Sequence, residues 1–259
     1  MTRVITILSG KGGVGKTVSA INLGAALAKF NKDVVVVDTN LTTPNVGLYL
    51  GVPLLPITLH DVLKGKNHIT EAVYLHKSGV KIVPASISLS ALRKLNPDRL
   101  SYSITGLIGL TDYVILDSAA GLGREALSAL EIADDVIVVT NPELAAVTDA
   151  LKTIKLAEEF DKNVLGVILT RTNPKHMDLP LREIEAMLEK PIIGIIPEDK
   201  AVNYSLSKKE PVVHLYPKSA SATSYKKLAA NLIGHKYEEE SPKEEKNFTY
   251  YLLRFFGLR

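Results

Sequence analysis

Residues 9–17 read S-G-K-G-G-V-G-K-T, and the remainder of the 259-residue chain is arranged around them. A short apolar run at 4–8 enters this stretch, and an apolar-periodic helix predicted over 17–30 leaves it. The stretch satisfies G-x-x-x-x-G-K-[ST] through Gly10, Gly15, Lys16 and Thr17. Gly10, Gly12, Gly13 and Gly15 let the backbone around Val14 turn tightly. Successive N–H groups then point into one concavity that can cradle phosphate oxygens. The helix opening at Lys16, Thr17 and Val18 offers its N-terminal dipole to the same anion. Lys16 is placed to reach the β- and γ-phosphates of a nucleotide, and the Thr17 hydroxyl to complete the shell of a Mg²⁺ ion. Gly-rich turns between strand and helix also occur without a ligand. Here strand, loop, Lys-Thr pair and helix stand in register, and nucleotide binding is the reading they favour.

With 46% hydrophobic residues the chain can bury one sizeable core, and its length suits a single α/β domain. A formal charge of +3 does not by itself argue for nucleic acid. The chain has no cysteine, which excludes disulfides, thiolate nucleophiles and cysteine-ligated zinc or iron–sulfur centres. No apolar run reaches the length of a membrane span, so a cytoplasmic protein is expected.

Apolar runs rich in β-branched residues recur at 4–8, 34–37, 80–84, 113–116, 136–140, 164–170 and 192–196. They lack alternation, as strands buried on both faces do. Helical patterns lie between them at 17–30, 125–133, 144–160, 181–188 and 221–233. Alternation of this kind predicts a doubly wound, mostly parallel α/β sheet covered by helices on both sides. A capped helix is expected over 58–65, with His60 as a surface or capping histidine. The six histidines show no metal-ligand spacing.

Ligands of such sheets sit beyond the carboxyl ends of the strands. The run 34–37 ends at Asp38, followed by Thr39 and Asn40. Asp38 is expected to hold the water shell of the Mg²⁺, its alternative role being a turn or helix cap. The run 113–116 ends in Asp117-Ser118-Ala119-Ala120-Gly121. A carboxylate directly after an apolar strand is placed to hold Mg²⁺ directly or through water. Gly121 is expected to present its N–H to a γ-phosphate.

The second position of the phosphate loop is Lys11, so the loop carries two lysines. In this the chain resembles the MinD/ParA group of P-loop ATPases, which share a deviant Walker A loop. The match extends over 38–50, 58–65, 117–121, T-N-P-E at 140–143, 169–171, I-P-E-D at 196–199 and the C-terminal tail. These stretches lie closer to the MinD branch of the group than to the ParA branch. The resemblance implies an ATP/ADP- and Mg²⁺-binding protein that forms a sandwich homodimer with ATP, Lys11 touching the nucleotide of the other subunit. The alternative for Lys11 is a solvated loop lysine. It further implies an adenine pocket from Arg171 and the loop Pro197, Glu198 and Asp199. Asn40 stands where the group usually has a second aspartate that helps position the attacking water, so slow hydrolysis is expected. Ala119 replaces a usual proline, and Thr170 stands where an asparagine often reads adenine.

Residues 235–246 are charged, separating a domain at 1–234 from a terminal segment at 247–259. Placed on a helix, Phe248, Tyr251, Leu252, Phe255 and Phe256 form one apolar stripe. Such a stripe, with Arg254 and Arg259 nearby, reads as an amphipathic anchor for an anionic membrane surface, and the group implies the same. Its alternative is a helix docked on protein. The expectation is an ATPase that dimerises on ATP, sits on the inner face of the cell membrane and recruits a protein partner. Two other readings are open: a nucleotide-gated scaffold that hydrolyses little, and a DNA-partitioning ATPase.

Overall fold

The computed structural model describes residues 1–93, 95–173 and 177–237. The calls for residues 238–259, including the anchor stripe, lie outside the described residues. In chain order the elements are β1 (Arg3–Leu8), α1 (Lys16–Lys29), β2 (Val34–Asp38), α2 (Val46–Tyr49), α3 (Leu59–Leu63), β3 (Tyr74–Leu75) and β4 (Lys81–Val83). There follow α4 (Leu100–Thr105), β5 (Tyr113–Asp117), α5 (Arg124–Ile132), β6 (Asp135–Thr140), α6 (Leu144–Glu159) and β7 (Asn163–Thr172). The chain continues through α7 (Leu181–Leu188), β8 (Ile192–Pro197), α8 (Lys200–Ser207), α9 (Val212–Leu215) and α10 (Ala220–Leu232).

The strands form one eight-stranded sheet in the order β3-β4-β2-β5-β1-β6-β7-β8. Every pairing is parallel except β3 with β4 at the edge. Successive strand residues point to opposite faces, and both faces are covered. Ile5 and Ile7 of β1 and Val34 and Val36 of β2 pack with α1 and α10. Val35 and Val37 pack with α3 and α4 on the other side, and Leu8, Val136 and Val138 with α5 to α7. Two-sided burial explains the unbroken apolar runs. The doubly wound, mostly parallel sheet expected from the sequence is the fold observed.

Some expectations need correction. The edge strand β3 and the short helices α4, α8 and α9 have no counterpart in the sequence reading. The capped helix at 58–65 is α3, with Thr58 and Asp61 closing a capping box. His60 on it is not a surface group: it is 1% exposed, and its Nδ1 accepts from the Ser86 N–H at 3.0 Å. Among the described residues no helix is long and apolar enough to cross a membrane.

Candidate functional site

The phosphate loop joins β1 to α1 at the centre of the sheet, where the strand order changes direction. Two of its glycines are required for different reasons. Gly15 has φ of 94°, a left-handed backbone that frees α1 to begin at Lys16. Gly10 is packed against α6 so closely that an added Cβ would lie 2.4 Å from the Asp149 carbonyl oxygen. Gly10 therefore serves packing behind the loop, and it does not line the cavity in front of it.

That cavity has a volume of about 920 Å³ and is walled by Gly12, Gly13, Gly15, Lys16, Thr17 and Val18 on the phosphate-loop side. Arg171, Pro197, Glu198 and Asp199 line it at the end nearest β7 and β8, where an adenine pocket was expected. Asp199 is occupied structurally: it caps α8 through the Ala201 N–H at 2.8 Å and accepts from the Ser221 hydroxyl at 2.7 Å. These bonds hold its carboxyl below the usual range despite partial burial, which acts the other way. Tyr225 closes the cavity from α10, its hydroxyl 3.1 Å from that of Ser19.

Beneath the loop lie two carboxylates and one ammonium. Asp38 and Asp117 end the adjacent strands β2 and β5 and stand in register, both fully buried. Lys16 Nζ donates to Asp117 Oδ1 at 2.8 Å and to the Ser118 carbonyl. Asp117 Oδ2 is buried and has no hydrogen-bond partner among the described residues. Asp38 Oδ2 accepts from the Asn45 and Val46 N–H groups, each at 2.9 Å, so it caps α2. The cap read as its alternative role is thus present. Burial, and then the negative charge of Asp117, push the Asp38 carboxyl up to about 8. The Val46 N–H and the Lys16 charge act against that rise.

The residues fit a magnesium ion. A Mg²⁺ that keeps most of its waters needs one or two protein oxygens and substrate phosphates, not a cage of side chains. Thr17 lines the cavity, and the free oxygen of Asp117 stands behind it.

The other predicted residues take these positions. The Gly121 N–H, assigned to a γ-phosphate, donates to the Ser9 carbonyl at 2.9 Å instead. Lys11 does not line the cavity; its ammonium lies 3.3 Å from Glu143 on the exterior. Val14 is buried, and its carbonyl accepts from the Thr170 hydroxyl at 2.5 Å. Thr170, 4% exposed, also approaches Asn141 Oδ1 at 2.8 Å. A hydroxyl has a single proton; here it props the phosphate loop, and Thr170 also lines the cavity. Asn40 lines the cavity, and its Oδ1 accepts from both the N–H and the hydroxyl of Thr43, each at 3.1 Å.

Several cavity residues were missed, Tyr225 and Glu125 among them. Glu125, in the first turn of α5, receives the Leu41 N–H at 2.8 Å, the Thr42 N–H at 3.4 Å and the Thr42 hydroxyl. An acid so soon after D-S-A-A-G was the available signal, read only as a helix start.

Compared with known proteins, residues 5–212 match the CobQ/CobB/MinD/ParA nucleotide binding domain. An ATP-binding protein of Methanocaldococcus jannaschii is 39% identical over 260 residues, spanning 100% of this chain and 98% of the relative. The cell division ATPase MinD of Pyrococcus furiosus superposes with a TM-score of 0.87 at 34% identity, covering 90% of this chain and 99% of that one. The septum site-determining protein MinD of Pyrococcus horikoshii, solved in complex with Mg-ADP, gives 0.86 at 36% identity, covering 90% and 96%. A phosphate loop with two lysines, strand-end aspartates in register beneath it and this breadth of similarity lead to one assignment: the chain belongs to the CobQ/CobB/MinD/ParA nucleotide-binding family and is MinD-like within it.

Proposed function

We propose that this chain is a MinD-like ATPase that dimerises around two Mg·ATP, docks on the cytoplasmic face of the membrane through residues 247–259 and recruits a protein partner there. Residues 1–234 would form the switch domain and 235–246 the tether. The observation that carries this reading is the arrangement of Lys16, Asp117 and Asp38 below the cavity. Lys16 is held by Asp117 and Ser118 and can exchange both for phosphate oxygens without leaving the loop. That exchange would release a second Asp117 oxygen beside the one already unpartnered. Thr17 and Asp117 would hold the Mg²⁺ that accompanies the nucleotide and Asp38 would order its waters, the ion supplying positive charge against the β- and γ-phosphates. The exterior position of Lys11 supports its acting on a second subunit's nucleotide. A solvated lysine paired with Glu143 is the competing account of the same position.

Asn40 supports slow turnover. It keeps hydrogen bonding but carries no charge and takes no proton. The scaffold reading, binding with little hydrolysis, rests on this residue. One short amphipathic helix binds membrane weakly, whereas two tails on a dimer gain avidity of about 10²–10⁴. The test is co-sedimentation of the full chain with anionic liposomes in Mg·ATP and Mg·ADP, with phosphate release followed in parallel. ATP-selective sedimentation with turnover supports the switch, and sedimentation without turnover favours the scaffold. Equal sedimentation in ADP contradicts gated docking.

A further inference from the structure

The loop after β2 is fastened at two points. Its far end is tied to its own strand by Asp38, which takes the Asn45 and Val46 N–H groups. Its near end is tied to a different segment by Glu125, which takes the Leu41 and Thr42 N–H groups and the Thr42 hydroxyl. Just before the near tie, Asn40 lines the cavity and accepts from Thr43, which lies between the two ties. Glu125 belongs to α5, which begins directly after the loop that follows β5. That second loop starts at Asp117 and Ser118, the two partners of Lys16, and its Gly121 N–H is bonded to Ser9 at the entrance of the phosphate loop. Polar contacts of Lys16 with Ser118 at one end and of Glu125 with Leu41 and Thr42 at the other are therefore joined by the short chain segment 118–125.

We propose that Glu125 is a positioning residue that makes the two strand-end loops respond together to the nucleotide. Bonds from backbone N–H to a carboxylate are among the stronger hydrogen bonds, and Glu125 makes two of them with one oxygen. Moving Lys16 onto a phosphate frees the Ser118 carbonyl, so the second loop can shift. The shift reaches Leu41 and Thr42 because Glu125 holds them to the start of α5. Asn40, one residue before Leu41, is aimed by the same tie. This coupling rests on the nucleotide-switch reading above.

The test is amide hydrogen exchange of the full-length protein with Mg·ADP and with a non-hydrolysable Mg·ATP analogue, alongside steady-state turnover. In wild type, residues 9–18 are protected by either nucleotide, and residues 39–46 differ between the two. In Glu125→Ala the protection of 9–18 persists while the difference at 39–46 disappears. Turnover falls on the order of 10- to 100-fold in kcat, the scale of a misplaced reacting group, with KM changed less than about threefold, as for a contact used mainly in the transition state. Thr42→Val shows part of this loss and Thr42→Ser restores it. A Glu125→Ala protein that keeps the nucleotide difference at 39–46 overturns the coupling. So does a loss of kcat that merely tracks lowered thermal stability. If 9–18 in wild type gains no protection from either nucleotide, the nucleotide-switch reading fails first and the coupling falls with it.

Discussion

Replacing Lys16 by methionine should destabilise the nucleotide-free protein. Lys16 is 7% exposed and Asp117 is fully buried, so water screens their contact little. Removing the ammonium leaves Asp117 Oδ1 without that donor, beside an Oδ2 that already has none. Breaking a buried pair by deleting one partner costs about 3–5 kcal/mol. Urea unfolding of both proteins, followed by circular dichroism, measures the loss. At about 2–4 °C per kcal/mol the melting temperatures should separate by about 6 °C or more. A deficit below about 1 kcal/mol, the scale of an exposed ion pair, would refute the argument that Lys16 neutralises a buried carboxylate.

Asp38→Asn isolates the other carboxylate. The Asp38 carboxyl is raised from 3.8 to about 8, so the native state holds its proton where the unfolded chain has lost it. Wild type should therefore lose stability relative to the mutant as pH rises from about 4 to about 8, seen as converging or crossing urea midpoints. Thr170→Val removes the hydroxyl that props Val14; the expected cost is about 1–2 kcal/mol, with nucleotide binding weakened in calorimetry rather than altered in base preference. Asn40→Asp keeps the acceptor for Thr43 and adds a charge at the cavity wall. Phosphate release should rise about tenfold, the modest end of what an acid–base group supplies, and an unchanged rate would show that Asn40 does not set it.

The sheet was legible because its central strands are buried on both faces and so appear as unbroken apolar runs. β3 was not, since two residues, of which Leu75 is 73% exposed, carry no pattern. The phosphate loop and both strand-end aspartates could be read locally, because their neighbours in sequence are also their neighbours in the site. Roles that depend on distant partners could not. Glu125 meets its partners 83 and 84 positions away. Thr170 finds the Val14 carbonyl 156 positions back. His60 lies on a helix of five residues, too short for periodicity to show which side faces inward. Gly121 was placed correctly on its loop, but the Ser9 carbonyl competes for its N–H, and nothing local announces that competitor.

The central claim is that ATP, and not ADP, joins two chains through Lys11. Light scattering of the full-length protein after size exclusion, in Mg·ADP and in a non-hydrolysable Mg·ATP analogue, tests it most directly. The account predicts the mass of one chain in ADP, twice that mass with the analogue, and one chain in both conditions for Lys11→Ala, which still binds nucleotide. A mass that ignores the nucleotide, or an undiminished dimer in Lys11→Ala, would contradict it.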